Sequence, residues 1–228
     1  MSSGNIHAGV LARTAPFHKL DPAQLDALVR TLRVNIYRRR EIVFASRRDA
    51  QGVFVLLDGR VKVARVDPRT GRELILFIVG PGELFGTESA GSPLSSSAVA
   101  LDESIVGSMP ASAFDQLVRI PEFAAEMVRL TADRLASVSA RLDEMVFRDV
   151  SARLARVLLR LATEFPGDGQ GATAINVRLT QQDLADLIGS TRESASVAVN
   201  TFKRQGLIAM RRQTIFIRDS DRLRRLTG

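Results

Sequence analysis

An α+β chain is predicted, with a β-rich N-terminal half, one long helix and a C-terminal winged helix-turn-helix. Three observations carry the prediction. Short β-prone runs follow one another between Tyr37 and Ser108, apolar residues recur at 3,4 spacing from Phe123 to Phe147 with no Gly or Pro, and two capped helical segments flank Gly189 ahead of two more β-prone runs. The matching domains are 1–119, 120–148 and 149–228.

Taken in order, Pro22 to Leu32 is an amphipathic helix capped by Asp21, with Leu25, Leu28, Val29 and Leu32 on one face. Strands are expected at Tyr37–Ser46, Gly52–Leu57, Gly59–Val66 and Glu73–Val79, and within Ser97–Ser108. The segments RRD, DG, DPRTGR, GPGE and LDES supply the turns. In RVKVARV, Val61, Val63 and Val66 face inward between charged neighbours, and strands so short and close predict a barrel or sandwich. Pro121 opens the long helix, where Ala124, Val128, Thr131, Leu135, Val138, Leu142 and Met145 form a coiled-coil seam; its interface residues are Val128, Leu135, Val138, Leu142 and Met145. A second set, Phe123, Met127 and Leu130, packs on the β-rich half. Arg148, Asp149 and Val150 form a hinge, followed by a helix over Ser151–Thr163, a flexible loop over Pro166–Thr173 and the strand AINVRL.

Thr180 caps the first helix of the helix-turn-helix, whose apolar face is Leu184, Leu187 and Ile188, and Gly189 ends it. Ser190 or Thr191 caps the second, Glu193 sits in its first turn and Gly206 closes it. Ala195, Ala198, Val199 and Phe202 recur at helical spacing and turn inward, leaving Glu193, Ser196, Val197 and Asn200 outward and Arg192 at the exposed N-terminal edge. A guanidinium there matches the two acceptors of guanine, and a carboxylate accepts from a cytosine amino group. Leu207–Met210 and Thr214–Arg218 read as a hairpin wing that sets Arg211 and Arg212 beside the groove of double-stranded DNA.

Charge agrees with that reading. The net charge is +7, and from Asp149 onward 13 Lys and Arg face 8 Asp and Glu, against 19 and 17 before it. With 228 residues and 45% hydrophobic content the chain can bury two small cores. Cysteine is absent, which excludes disulfides and thiolate-ligated clusters. No apolar run is long enough to cross a membrane and the N-terminus lacks a signal-peptide core, so a cytoplasmic protein is expected. The competing class is a β-barrel enzyme. Its metal would need clustered ligands, yet the only histidines, His7 and His18, precede the barrel, and neither a nucleophile–base motif nor a phosphate-gripping Gly-Lys loop occurs.

The stretch LTQQDLADLIGSTRESASVAVNTFKRQGLI resembles the cAMP receptor protein/FNR superfamily of bacterial transcription regulators, as does FVLLDGRVKVARVDPRTGRELILFIVGPGELFG, which is similar to its cyclic-nucleotide-binding β-roll. The likeness runs from about Leu20 to Arg218. It implies a β-roll, a dimerising helix and a homodimeric activator on a pseudo-palindromic operator, with Arg192 and Glu193 reading bases and Thr180, Gln182, Thr191 and Ser194 on phosphates. It also implies RNA polymerase as a partner, through basic β-roll surface such as Arg38, Arg39, Arg40, Arg47 and Arg48 with Arg33 and Lys19, and through the loop from Pro166.

Departures from the family pattern are equally informative. Val197 stands where members that read a second guanine carry Arg; it can touch a thymine methyl but cannot donate to guanine. Arg40 and Arg48 occupy turn positions that commonly hold Gly, so longer or reshaped turns are expected. In the effector segment Gly86–Leu101 the ribose-binding Glu position reads Thr87, with Glu88 shifted by one, and no Arg or Lys lies between Arg72 and Arg119. A buried phosphate monoanion without a cation loses its strongest hydrogen bonds, so no cAMP cofactor is expected. Ser95, Ser96 and Ser97 still offer hydroxyls, for a polar loop, another polar effector or a self-filled pocket. The nucleotide-contacting pair of the long helix maps to Val138 and Ser139, the first without its hydroxyl. An effector-gated regulator of the same fold, silent without its ligand, is the alternative.

Overall fold

The computed structural model describes residues 8–45, 52–86, 95–167 and 173–227. The chain divides into two compact units: residues up to 72 with 76–137, and 73–75 with 138 onward.

In the first unit a 3-10 turn at Phe17–Lys19 leads into a helix, α1 (Pro22–Thr31), whose Asp21 cap is completed by Gln24 into a reciprocal capping box. Among the described residues eight strands follow: β1 (Arg33–Tyr37), β2 (Ile42–Phe44), β3 (Val53–Asp58), β4 (Val61–Val66), β5 (Glu73–Val79), β6 (Leu84–Phe85), β7 (Ser95–Ala100) and β8 (Ser104–Met109). They form two sheets, ordered β1-β8-β3-β6 and β2-β7-β4-β5. The run VFVLL on β3 is apolar throughout because both of its faces are covered. Val53, Val55 and Leu57 join Phe17, Leu25, Leu28 and Phe123 in one core, while Phe54 and Leu56 meet Phe85 of the neighbouring β6 and, from the facing sheet, Val61, Val63 and Ala98 in the other. On β4, Val61 and Val63 are buried as expected and Val66 is half-buried, but Ala64 is buried as well, breaking the alternation.

Two expectations are corrected here. The first strand begins at Arg33 rather than Tyr37, since Arg33 and Asn35 on an edge strand conceal its pattern, and it pairs with β8 from Arg33↔Ser108 to Tyr37↔Ser104. The turn at Arg40 is not lengthened: Arg40 itself adopts φ 70° and its amide donates to the Ala100 carbonyl at 2.7 Å. Two helices complete the run, α2 (Ala111–Val118), which the sequence reading missed, and α3 (Pro121–Phe147).

In the second unit α3 gives way at Arg148 and Asp149. The break is shorter than the expected hinge, because the Asp149 carboxylate accepts the Ala152 amide at 2.7 Å and starts α4 (Val150–Glu164) one residue early. The amphipathic face of α4 buries Leu154, Val157, Leu158 and Leu161. Pro166–Gly167, expected in a loop, forms β9 and pairs with β10 (Thr173–Ile175); AINVRL is extended only at its start. Then come α5 (Gln181–Ile188), α6 (Arg192–Arg204), β11 (Ile208–Arg211), β12 (Thr214–Ile217) and α7 (Ser220–Leu226), with sheet order β11-β12-β10-β9. Helix α7 was not foreseen; its apolar content is little more than Leu223, which is fully buried. Arg141 is also buried in this unit and donates through Nη2 to the carbonyls of Ile75 and Leu187, each at 2.8 Å. Burial and the neighbouring Arg160 lower its pKa to about 10, which leaves it charged at neutral pH.

Candidate nucleic-acid interface

The surface of α5 and α6 follows from how their ends are capped. Thr180 donates its hydroxyl to Asp183 Oδ2 at 2.6 Å and accepts the Asp183 amide at 3.1 Å, while the Thr180 amide donates to the same carboxylate at 2.9 Å. Gln182 Nε2 donates to Asp186 Oδ1 at 2.8 Å. Asp183 and Asp186 are buried, so the negative charges of α5 point inward and are hydrogen-bonded. The exposed charge of α5 and α6 is thereby left to Glu193 and to the cations Arg192, Lys203 and Arg204.

Gly189 ends α5 at φ 60°, a conformation that favours glycine, and a Cβ there would sit 2.7 Å from the flexible Met145 Cε. Met145, expected in the α3 seam, is accordingly half-buried against this turn, and the exposed apolar residues at the end of α3 are Leu142, Val146 and Phe147. Farther up the helix Val128 and Leu135 are each 69% exposed and Val138 39%. Phe123 and Met127 belong to the first unit's core.

Thr191 starts α6, accepting the Ser194 amide at 3.2 Å and donating to the Ser194 hydroxyl at 3.1 Å. Ala195, Ala198, Val199 and Phe202 are buried, and α6 packs on α5. Arg192, Glu193, Val197 and Asn200 are exposed and Ser196 is half-buried. Lys203 and Arg204 continue the exposed face as a basic last turn of α6.

The wing is β11 and β12, paired from Ile208↔Ile217 to Arg211↔Thr214. Its two turn residues, Arg212 at φ 48° and Gln213 at φ 70°, both lie in the left-handed region, where a two-residue hairpin of this kind favours Asn-Gly. The Leu179 amide donates to the Gln213 carbonyl at 3.3 Å, tying the wing to the residue before the Thr180 cap. Arg211 and Arg212 are exposed. Changing Arg212–Gln213 to Asn–Gly is expected to stabilise the protein by about 1 kcal/mol, read as a higher urea midpoint at unchanged slope.

Of the effector-segment residues, Thr87, Glu88 and the Ser95 side chain lie outside the described residues, as do Arg47 and Arg48. Gly86, at φ 94°, lies so close to Phe54 that a Cβ would meet its ring at 2.7 Å. Ser96 and Ser97 are buried on β7, and among the described residues neither hydroxyl has a hydrogen-bond partner. Phe44, Phe54 and Phe85 stack in the core between the two sheets, with centroids 5.3 to 6.3 Å apart. Val138 and Ser139 are exposed. The cation missing from the 73–118 segment comes from α3: Arg134 donates to the Leu84 carbonyl at 2.7 Å and lies 4.6 Å from the Phe77 ring centroid. Nothing near Phe77 in sequence announces it. On the basic surface Lys19, Arg33, Arg38 and Arg40 are exposed, whereas Arg39 is half-buried and donates to the Leu101 carbonyl.

Among the described residues no group of His, Cys, Asp and Glu could hold a metal ion, and no helix is long and apolar enough to cross a membrane.

Comparison with known proteins gives two family matches, the cyclic nucleotide-binding domain over residues 34–120 and the Crp-like helix-turn-helix domain over 152–226. A CRP-like cAMP-activated global transcriptional regulator from Mycobacterium tuberculosis is 33% identical over 95% of this chain and 97% of its own. The cyclic AMP receptor protein of Thermus thermophilus is 27% identical over 90% and 92%. Among solved structures, a CooA mutant from Carboxydothermus hydrogenoformans superposes with a TM-score of 0.73 at 22% identity, covering 89% of this chain and 90% of that one. FixK2 from Bradyrhizobium japonicum gives 0.72 at 23%, covering 86% and 98%.

Proposed function

Since the chain belongs to the CRP/FNR family of transcription regulators and carries their helix-turn-helix DNA-binding domain, we propose that it acts as a homodimer on a pseudo-palindromic operator, binds it without cAMP and contacts RNA polymerase. The family consists of regulators, and this member is not an enzyme.

The exposed row at the start of α6 carries the proposal. Arg192 and Glu193 stand free of the α5 contact, so a guanidinium and a carboxylate meet the guanine and cytosine edges of the major groove. Ser194 and Gln182 keep donor hydrogens for phosphates, and Arg211 and Arg212 add charge from the wing. Thr180 and Thr191 serve chiefly as caps that fix where the helix ends meet the backbone. A cost in turn strain retained at Arg212 and Gln213 supports a DNA contact there. The Asn–Gly change that stabilises the protein is therefore expected to weaken DNA binding.

Dimerisation rests on Val128, Leu135 and Leu142, seven residues apart and exposed on a 27-residue helix. Polymerase contact rests on the exposed Lys19, Arg33, Arg38 and Arg40. Independence from cAMP rests on the absence of Lys and Arg from 73 to 118 and on the phenylalanine stack that fills the core of the roll.

A second reading, gating by another effector, has its own support in Arg134 and in the unpartnered Ser96 and Ser97 hydroxyls. Fluorescence anisotropy of verified ligand-free protein on operators selected from a random pool separates the two. Tight, selective binding that cAMP leaves unchanged is expected; weak binding that cAMP sharply improves would overturn ligand independence, and weak binding in both arms would favour another effector.

A further inference from the structure

Along α6 the exposed residues Glu193, Val197, Asn200 and Arg204 are spaced four, three and four apart, which places them in one line on the face opposite Ala195, Ala198, Val199 and Phe202. Three of the four are polar or charged. The fourth, Val197, is 68% exposed at the centre of the line and buries nothing within the fold. A β-branched residue there lowers helix propensity relative to Ala and leaves an isopropyl group in water, so the fold itself gains nothing from it.

Its neighbours define what it can meet. Ser194 and Ser196 beside it are short and half-buried, so the row of longer side chains dips at Val197, between Glu193 and Asn200. The helix surface is therefore low at this point and can approach a groove floor closely. Val197 lies one turn, about 6 Å along the axis, beyond Glu193, or roughly two base steps. Among base edges in the major groove the apolar group is the thymine C5-methyl, and an isopropyl group has no hydrogen bond to offer the others.

Resting on the reading of this face as the base-reading surface, we propose that Val197 is a specificity residue that selects thymine by its methyl group in each half-site, within about two base pairs of the Arg192–Glu193 contacts. Guanine is disfavoured at that position because its N7 and O6 would lose their water to a side chain without a donor. Discrimination is then apolar and independent of charge, in contrast to that of Arg192.

The test uses the full chain and the operator selected from a random pool. Each thymine is replaced singly, in both half-sites, by deoxyuridine, which removes the C5-methyl and nothing else, and binding is measured by anisotropy for the wild type and for Val197→Ala. The wild type is expected to weaken about fourfold per half-site at one position, the size of one buried methyl group, and to be indifferent at the others. Val197→Ala is expected to bind thymine and deoxyuridine operators alike. Alanine favours the helix, and an unchanged circular dichroism spectrum verifies that the variant is folded. A wild type indifferent at every thymine, or a Val197→Ala protein that keeps the deoxyuridine penalty, overturns the assignment. Failure of the pool to yield any preferred sequence overturns the parent reading, and the assignment with it, and is distinguishable from either result.

Discussion

Arg192→Ala is expected to weaken binding to the selected operator by about 1 to 3 kcal/mol for each half-site while leaving affinity for random DNA nearly unchanged. The asymmetry follows from where the side chain stands. Arg192 is the first residue of α6, exposed, and holds no hydrogen bond or ion pair among the described residues, so its guanidinium is free for a bidentate contact. A phosphate contact would contribute equally to every sequence, whereas a pair of hydrogen bonds to guanine exists only at the right base. Arg192→Lys sharpens the test, because an ammonium keeps the charge but loses the planar fork; it should lose most of the same discrimination. Equal losses on operator and random DNA would reassign Arg192 to the backbone.

Leu135→Asp should have the larger effect. Leu135 is 69% exposed at the middle of α3, with Val128 one heptad before it and Leu142 one heptad after. In a paired helix the substitution places two carboxylates in an apolar seam, each losing solvation without a counter-ion. The expected outcome is a monomer by analytical ultracentrifugation and a loss of operator affinity on the order of 10³-fold, since a single half-site contact is left. The helix itself should survive, because the residue is exposed within the protomer. A Leu135→Asp protein that remains dimeric would place the interface elsewhere.

Most of the fold could be read from the residues, and the exceptions share a physical cause. The caps at Asp21 and Thr180, the Gly189 turn and the buried face of α6 are local, so type and spacing determined them. Strand β1 was missed because an edge strand need not hide its polar residues, and α7 because a two-turn helix anchored by Leu223 has almost no periodicity. Met145 follows the heptad in sequence, yet tertiary contact with Gly189 takes it out of the exposed stripe. Arg134 shows the deeper limit. Residues 73–118 hold no Lys or Arg, yet a guanidinium 50 residues from Leu84 in sequence donates to the Leu84 carbonyl in space. At the DNA-binding face, the outward residues could be read from helical spacing, whereas the inward turn of the α5 carboxylates could not.

The most direct test of the central claim is selection of binding sites from a random double-stranded pool by ligand-free protein, followed by sequencing of the enriched DNA. The dimeric reading predicts an inverted repeat whose half-sites are centred about one helical turn apart, roughly 34 Å, each with a G·C pair where Arg192 and Glu193 reach. Enrichment of an unrepeated half-site, or of no sequence at all until a small molecule is added, would contradict it.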